Sequence, residues 1–285
     1  KRDDDKDAQL RRAVAVTAAA AARPSHSGSI LVFVASVADV ERVCRELEAL
    51  ENDLDVWAVR LHGGLSAADQ RKAFAPAPRG RCKVVASTNV AETSVTIPDC
   101  TVVVDTLRSN ITDYDADRDL PCLTESWIAK DAAKQRAGRA GRVRPGECFR
   151  LVARVDFNES FVDHTRPEIA RVSLEGVAIQ ALAMRLGPQA LADDLLDPPD
   201  PASVTRAVDG LIALGAAERR SDDDDVPEAE RRRPESVWLT ALGAHLAALP
   251  CAARLGKLVV LGAALGPATR NATLNIAAGL GVRAF

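Results

Sequence analysis

The feature that most limits the fold of this chain is a series of short apolar runs separated by helical stretches. Ile30 to Ala35 (ILVFVA) is an unbroken run too short for a helix, the pattern of a strand covered on both faces. Lys83 to Ala86 and Val102 to Asp105 read as two further buried strands, and Val56 to Leu61 is strand-like. Between them, Ser36-x-x-Asp39 makes a capping-box-like start, followed by Val40, Val43, Cys44, Leu47 and Leu50 at helical spacing. Ser66-x-x-Asp69 opens another short helix ending near Phe74, Asp131 to Ala140 reads as a helix, and Cys148 to Val152 as a closing strand. Strands joined by helices pair in parallel, so the expected class is α/β with a doubly wound sheet. Ligands of such sheets bind beyond the carboxyl ends of the strands.

From about residue 155 the pattern turns helical. Ser173 to Leu186 is apolar on one face, and Gly187-Pro188 stops it. Asp200-Pro201 begins a helix with proline in its first turn, and Gly215 follows its last apolar residue. The polar stretch from Glu218 to Ser236 carries opposite-sign blocks at 222–225 and 231–233, which suit a solvated hairpin or loop. Thr240 caps a further helix that Pro250 closes. Two helices, a hairpin-like connection and another helix suit a small winged-helix unit, and the segment from Arg254 onward looks like the start of a third, helical domain.

Composition narrows the function classes. Apolar residues at 47% and charged residues at 27% fit a globular chain, and a net charge of −3 means that nucleic acid must be met by a local patch. The six cysteines have no C-x-x-C pair and no histidine at finger spacing, so disulfides and zinc are not expected and an intracellular compartment, cytoplasmic or nuclear, is. The four histidines (His26, His62, His164, His245) form no metal or triad pattern. Arg11-Arg12 before an alanine run resembles a signal peptide only superficially, since acidic residues precede it; the run reads as an alanine-rich helix.

Two segments carry chemistry. In Gln135-Arg136-Ala137-Gly138-Arg139-Ala140-Gly141-Arg142, Arg139 and Arg142 lie three residues apart and share a face if the helix persists. Guanidinium groups so placed suit phosphate contacts and charge developing in phosphoryl transfer; a solvated basic helix with glycine breaks is the alternative. Ser87 to Ile97 (STNVAETSVTI) follows a buried strand, where hydroxyls, an amide and loop N–H groups can hold phosphate oxygens; a polar turn is the alternative. Glu92 is a carboxylate able to orient neighbouring groups.

Together these segments resemble the DEAH/RHA family of superfamily-2 helicases, which act chiefly on RNA. Thr88 to Ile97 matches TNxAExxxTI and Gln135 to Arg142 matches QRxGRxGR. Leu61 to Phe74 and Val143 to Phe149 resemble flanking segments, and Arg166-Pro167-Glu168-Ile169, Asp197-Pro198-Pro199, Leu239-Thr240-Ala241-Leu242-Gly243 and Arg254-Leu255-Gly256-Lys257 follow in the family's order. The resemblance implies a second RecA-like domain over 1–153, a winged-helix domain over 154–249 and the start of a helical ratchet-like domain over 250–285.

It also implies roles. Arg139 and Arg142 match arginine fingers that reach the γ-phosphate of ATP, and Gln135 matches a residue that helps position the attacking water or that phosphate. Phe74 resembles the aromatic that stacks on adenine, with a core phenylalanine as the alternative, and Thr96 falls with Phe74 and the fingers among the ATP contacts. Ser36, Thr88, Asn89 and Glu92 fall at RNA contacts, and Asn110 to Trp127 takes the place of a β-hairpin that helps split the duplex. Two departures stand out: Leu107 replaces the usual glycine after Asp105-Thr106, which puts the turn into the hairpin in question, and Ala35-Ser36 replaces Pro-Gly.

No G-x-x-x-x-G-K-[ST] loop or D-E-x-H strand end occurs in the sequence. ATP with Mg²⁺ is therefore expected to sit mainly on a first RecA-like domain preceding this excerpt, and the excerpt alone is expected to be inactive. The expected activity is that of an ATP-dependent RNA helicase, with RNA backbone, the first RecA-like domain and an activating protein as partners and no membrane. A non-catalytic helicase-shaped RNA-binding or scaffold protein, and a DNA-directed motor, are the alternatives.

Overall fold

The computed structural model describes residues 2–23, 28–50, 54–93, 96–115, 120–142, 144–187, 195–219 and 237–281. His26, Ser94, Val95, Val143, Pro188, residues 116–119 of the expected β-hairpin and the charged blocks at 222–225 and 231–233 lie outside them. In chain order the elements begin α1 (Arg2–Ala21), β1 (Ser29–Phe33), α2 (Val37–Glu48), β2 (Val56–Leu61), α3 (Ala67–Lys72), β3 (Cys82–Ser87) and α4 (Val90–Thr93). They continue with β4 (Cys100–Asp105), β5 (Arg108–Asp115), β6 (Leu120–Trp127), α5 (Lys130–Ala137), β7 (Glu147–Arg150) and α6 (Arg154–Ser160). Then follow α7 (Glu175–Ala183), α8 (Pro201–Ala213), β8 (Ala217–Arg219), β9 (Val237–Leu239), α9 (Ala241–Ala248), α10 (Ala253–Ala264) and α11 (Pro267–Gly281).

Packing divides the chain into two compact units, Lys1–Ile111 with Leu123–Thr165 and Thr112–Cys122 with Arg166–Phe285. The division falls after α6 rather than at residue 153, because Phe157 and Phe161 pack with Leu107, Ile128 and Ala133. The first unit holds a parallel sheet in the order β2-β3-β1-β4-β7. The side chains of β1 alternate between two covered faces. Ile30 and Val32 point into a core with α1 and α2, whereas Leu31 and Phe33 pack with Ala73 after α3, Ala91 of α4 and Ala140 after α5. This double burial explains the unbroken apolar run. The alanine-rich segment forms α1, longer than the alanine run itself, and its buried Gln9 donates to the carbonyls of Thr106 (2.9 Å) and Leu151 (3.2 Å).

In the second unit α7, α8, α9 and the antiparallel β8–β9 pair enclose one core that includes Leu174, Ile179, Val208, Leu211, Val237 and Leu246. Gly243 starts α9 against the β8 side: a Cβ there would lie 1.8 Å from the Ala216 carbonyl oxygen, which admits only glycine. Residues 250–285, expected as a separate domain, fall within this unit, and Lys257 Nζ donates to the Leu214 carbonyl at 2.6 Å.

The turn into β5 survives its departure from glycine. Leu107 adopts φ 59°, the left-handed region, and is fully buried. Its amide donates to Asp105 Oδ1 at 2.7 Å and its carbonyl accepts from Ile128 at 2.9 Å. Burial of the leucine among Ile128, Ala132, Ala133 and Phe161 offsets the left-handed penalty. Leu107→Ala and Leu107→Gly both empty that space and are expected to lower stability by about 2–5 kcal/mol. Only glycine escapes the left-handed penalty of about 1–2 kcal/mol, so the glycine variant is expected to be the more stable of the two in urea unfolding. The opposite order would show that the turn carries no strain.

Candidate nucleotide and RNA site

The candidate RNA groups lie at the carboxyl ends of the strands. Ser36 follows β1, Thr88 and Asn89 follow β3, and register sets Phe33 beside both Ser87 and Asp105. Asn89 is exposed and Thr88 half-buried, with the Thr88 amide donating to the Leu61 carbonyl at 3.3 Å. Ser36 caps α2: its Oγ accepts from the Asp39 amide at 3.2 Å and its own amide donates to Asp39 Oδ2 at 3.0 Å. The capping leaves the hydroxyl hydrogen as the group Ser36 can offer.

On the opposite face of the sheet from α1 and α2, one apolar cluster joins Ala73, Ala91, Ile97 and Ala140. These residues are the chain neighbours of Phe74, Glu92, Thr96 and Arg139, so backbone segments scattered from 73 to 140 anchor in one cluster. Phe74 is a surface residue, 37% exposed, and not the core phenylalanine of the alternative reading. Thr96 Oγ1 accepts from Arg142 Nη1 at 2.6 Å, and both residues are exposed.

The arginines do not share a helix face. The expected helix from Asp131 to Ala140 ends at Ala137, with Gly138 as its cap, and Arg139 to Arg142 lie on the turn beyond. Glycines at 138 and 141 make continued helix costly, and the amides of Arg139 and Ala140 instead close tight turns to Arg136 (3.0 Å) and Ala137 (3.2 Å). Downstream, Gly146 passes so close that a Cβ would lie 1.7 Å from the Ala140 oxygen, fixing the exit of this turn. Arg139 is only 9% exposed; its burial, and then the like charge of Arg142, hold its guanidinium below the ordinary arginine value. A partly desolvated cation beside a second cation is an arrangement that a multiply charged anion relieves. Gln135 is exposed on the last turn of α5. Among the described residues no three His, Cys, Asp or Glu side chains come together as metal ligands.

Residues 8–144 match the helicase conserved C-terminal domain. The chain is 38% identical over 260 residues to the DExH-box ATP-dependent RNA helicase DExH3 of Arabidopsis thaliana, covering 90% of this chain and 20% of that one. It is 37% identical over 253 residues to the human ATP-dependent RNA helicase DHX29, covering 87% and 17%. The crystal structure of the E. coli DExH-box NTPase HrpB superimposes with a TM-score of 0.71 at 31% identity, over 90% of this chain and 28% of that one. The chain belongs to the DEAH/RHA helicases. It corresponds to the C-terminal part of their helicase core and spans a fifth or less of the length of these curated relatives.

Within this DEAH/RHA core, sequence reasoning missed the most buried residue of the arginine motif. Arg136 has no exposed surface; its Nε donates to Glu92 Oε2 at 2.9 Å and its Nη1 to Asp105 Oδ1 at 3.0 Å and the Arg108 carbonyl at 3.2 Å. Its guanidinium also lies 4.8 Å from the Phe33 ring centre. Glu92 therefore orients a neighbour, as its carboxylate suggested. The available signal was a third arginine in the motif beside two carboxylates at strand and loop ends; which arginine turns inward is not encoded in the spacing.

Arg136→Met leaves Asp105 buried without its counter-charge, with an expected loss of about 3–5 kcal/mol at neutral pH. Burial already raises the Asp105 carboxyl above its ordinary value, against the downward pull of Arg136 and the Leu107 amide. Without Arg136 that value rises further. A raised folded value favours the fold below the unfolded pKa and loses that advantage as pH rises. The deficit of the variant is therefore expected to be widest near pH ~8 and to shrink toward pH ~4, read from urea midpoints against the parent. A deficit that does not change with pH would contradict this.

Proposed function

We propose that this region is the finger-bearing half of an ATP-dependent RNA motor. Arg139 and Arg142 address the γ-phosphate of ATP held, with its Mg²⁺, on a preceding RecA-like lobe. The observation that carries the reading is the turn after α5, which keeps two guanidinium groups adjacent, one desolvated and one bonded to Thr96. Two cations held this close attract a triphosphate and favour the charge that accumulates in phosphoryl transfer. Gln135, one turn earlier, lies within the same motif to orient the attacking water, and Phe74 offers its exposed ring to the base.

Thr88, Asn89 and Ser36 contact the RNA backbone in this proposal, from the carboxyl ends of adjacent strands. Backbone contacts carry no base information, so binding is sequence-tolerant and weakens with salt. Glu92 links the two functions through Arg136, since the guanidinium that grips α4 belongs to the helix leading into the finger-bearing turn. When hydrolysis removes the phosphate bridge the lobes part, and the grip at Thr88 shifts along the strand. The second unit serves as a winged-helix domain leading into a ratchet-like domain.

In the full-length protein Arg142→Ala is expected to lower kcat by about 10³-fold while changing ATP affinity far less, measured by steady-state ATPase and nucleotide titration. Normal turnover in that variant would refute the finger role. Residues 1–285 alone are expected to hydrolyse ATP no faster than buffer in a phosphate-release assay, and RNA-stimulated turnover by them would overturn the placement of the nucleotide on another lobe.

A further inference from the structure

We propose that Lys83 is a positioning residue for the nucleotide base: from inside the sheet it pins the turn that presents Phe74. The inference rests on the stacking role proposed for Phe74.

Lys83 stands near the start of β3 with no exposed surface, between strands β1 and β2. A lysine ammonium taken out of water is costly unless each of its donors is paired. It has three, and three acceptors surround it: the Ala73 carbonyl at 3.1 Å, the Ala75 carbonyl at 2.8 Å and Asp99 Oδ1 at 2.9 Å. Asp99 is itself fixed by Ser29 Oγ at 3.0 Å, while its carbonyl accepts from the Ser29 amide at 2.7 Å, which ties the assembly to the start of β1.

The two carbonyls belong to the residues on either side of Phe74. They lie at and just past the cap of α3, where no further helical turn follows to supply donors. The amides of Phe74 and Ala75 close short turns to Arg71 (3.1 Å) and Lys72 (3.2 Å), and the ammonium takes the carbonyls on the other side. The backbone of Phe74 is thereby held at both ends while its ring stays at the surface, leaving the ring only its own rotamers. A ring fixed in advance stacks without an ordering cost at the moment of binding. A buried strand position needs no lysine for packing; the charge is explained by the carbonyls it gathers.

The test uses the full-length protein and two probes, ATP and tripolyphosphate, which lacks a base. Lys83→Met is expected to weaken ATP binding about fivefold to tenfold, the scale of losing most of one base–aromatic stack. Tripolyphosphate affinity and kcat at saturating ATP are expected to stay at parent values. Adding Lys83→Met to Phe74→Ala is expected to cause no further loss, and Lys83→Arg, which restores donors, to recover most of the affinity. If Lys83→Met does not fold, Lys83→Gln, whose amide falls short of the carbonyls, carries the same expectations. Parent-like ATP affinity in the variant while Phe74→Ala binds weakly overturns the clamp and leaves the stacking role standing. So does an equal loss for tripolyphosphate, or a loss that adds to that of Phe74→Ala. If Phe74→Ala itself binds ATP normally, stacking and clamp fall together.

Discussion

Arg136 carries a permanent charge to a position with no exposed surface, and the first unit is arranged around that burial. The cost of desolvating a guanidinium is several kcal/mol, so the side chain must find carboxylates and carbonyls at good geometry. Glu92 supplies one from α4, Asp105 another from the end of β4, and the Arg108 carbonyl adds a third acceptor from the start of β5. One residue of α5 thus fastens α4 after the loop proposed to touch RNA, the root of the β5–β6 ribbon and the turn that carries the two candidate fingers. Small displacements of any of these are opposed by a buried charge, a steeper restraint than apolar contact alone provides.

Lys83 does comparable work near the amino ends of the strands. Both cations are fully buried, and both gather chain segments that have just left an element: the turn after α3 in one case, the segments around α4 and β5 in the other. Parallel sheets leave their loops at the strand ends without neighbouring strands to hold them. Buried cations with several directed donors fill that need where an apolar side chain, which has no directional bond, does not.

The root of the β5–β6 ribbon has a further brace on the other side of the sheet. Arg108 bonds to Gln9 of α1 at 2.8 Å and to Glu125 of β6 at 3.2 Å, and its guanidinium lies 4.0 Å from the Trp127 ring centre. Trp127 packs in turn on Phe161, 5.4 Å between ring centres, so it serves the ribbon's base. With this brace in place the left-handed turn at Leu107 is held by the packing around it, and a leucine serves where glycine would have been the conformationally easy choice.

The sequence by itself determined the class of fold and the identity of the helicase region. Double-faced apolar runs such as Ile30 to Ala35 admit a covered parallel strand and little else. The Ser36–Asp39 capping box and Thr240 cap are local hydrogen-bond patterns that neighbours within four residues complete. Motif spacing likewise pointed to the segments at 88–97 and 135–142. It did not reveal which arginine of QRAGRAGR faces inward, that α5 stops at Ala137, or that Leu107 tolerates a left-handed backbone. Those outcomes depend on partners far along the chain: Glu92 and Asp105 for Arg136, the Ala140 oxygen against Gly146, Phe161 around Leu107. Local pattern encodes whether a residue prefers helix, strand or turn. Where a charge or a strained turn is affordable depends on what desolvates and surrounds it, and only the folded arrangement supplies that environment.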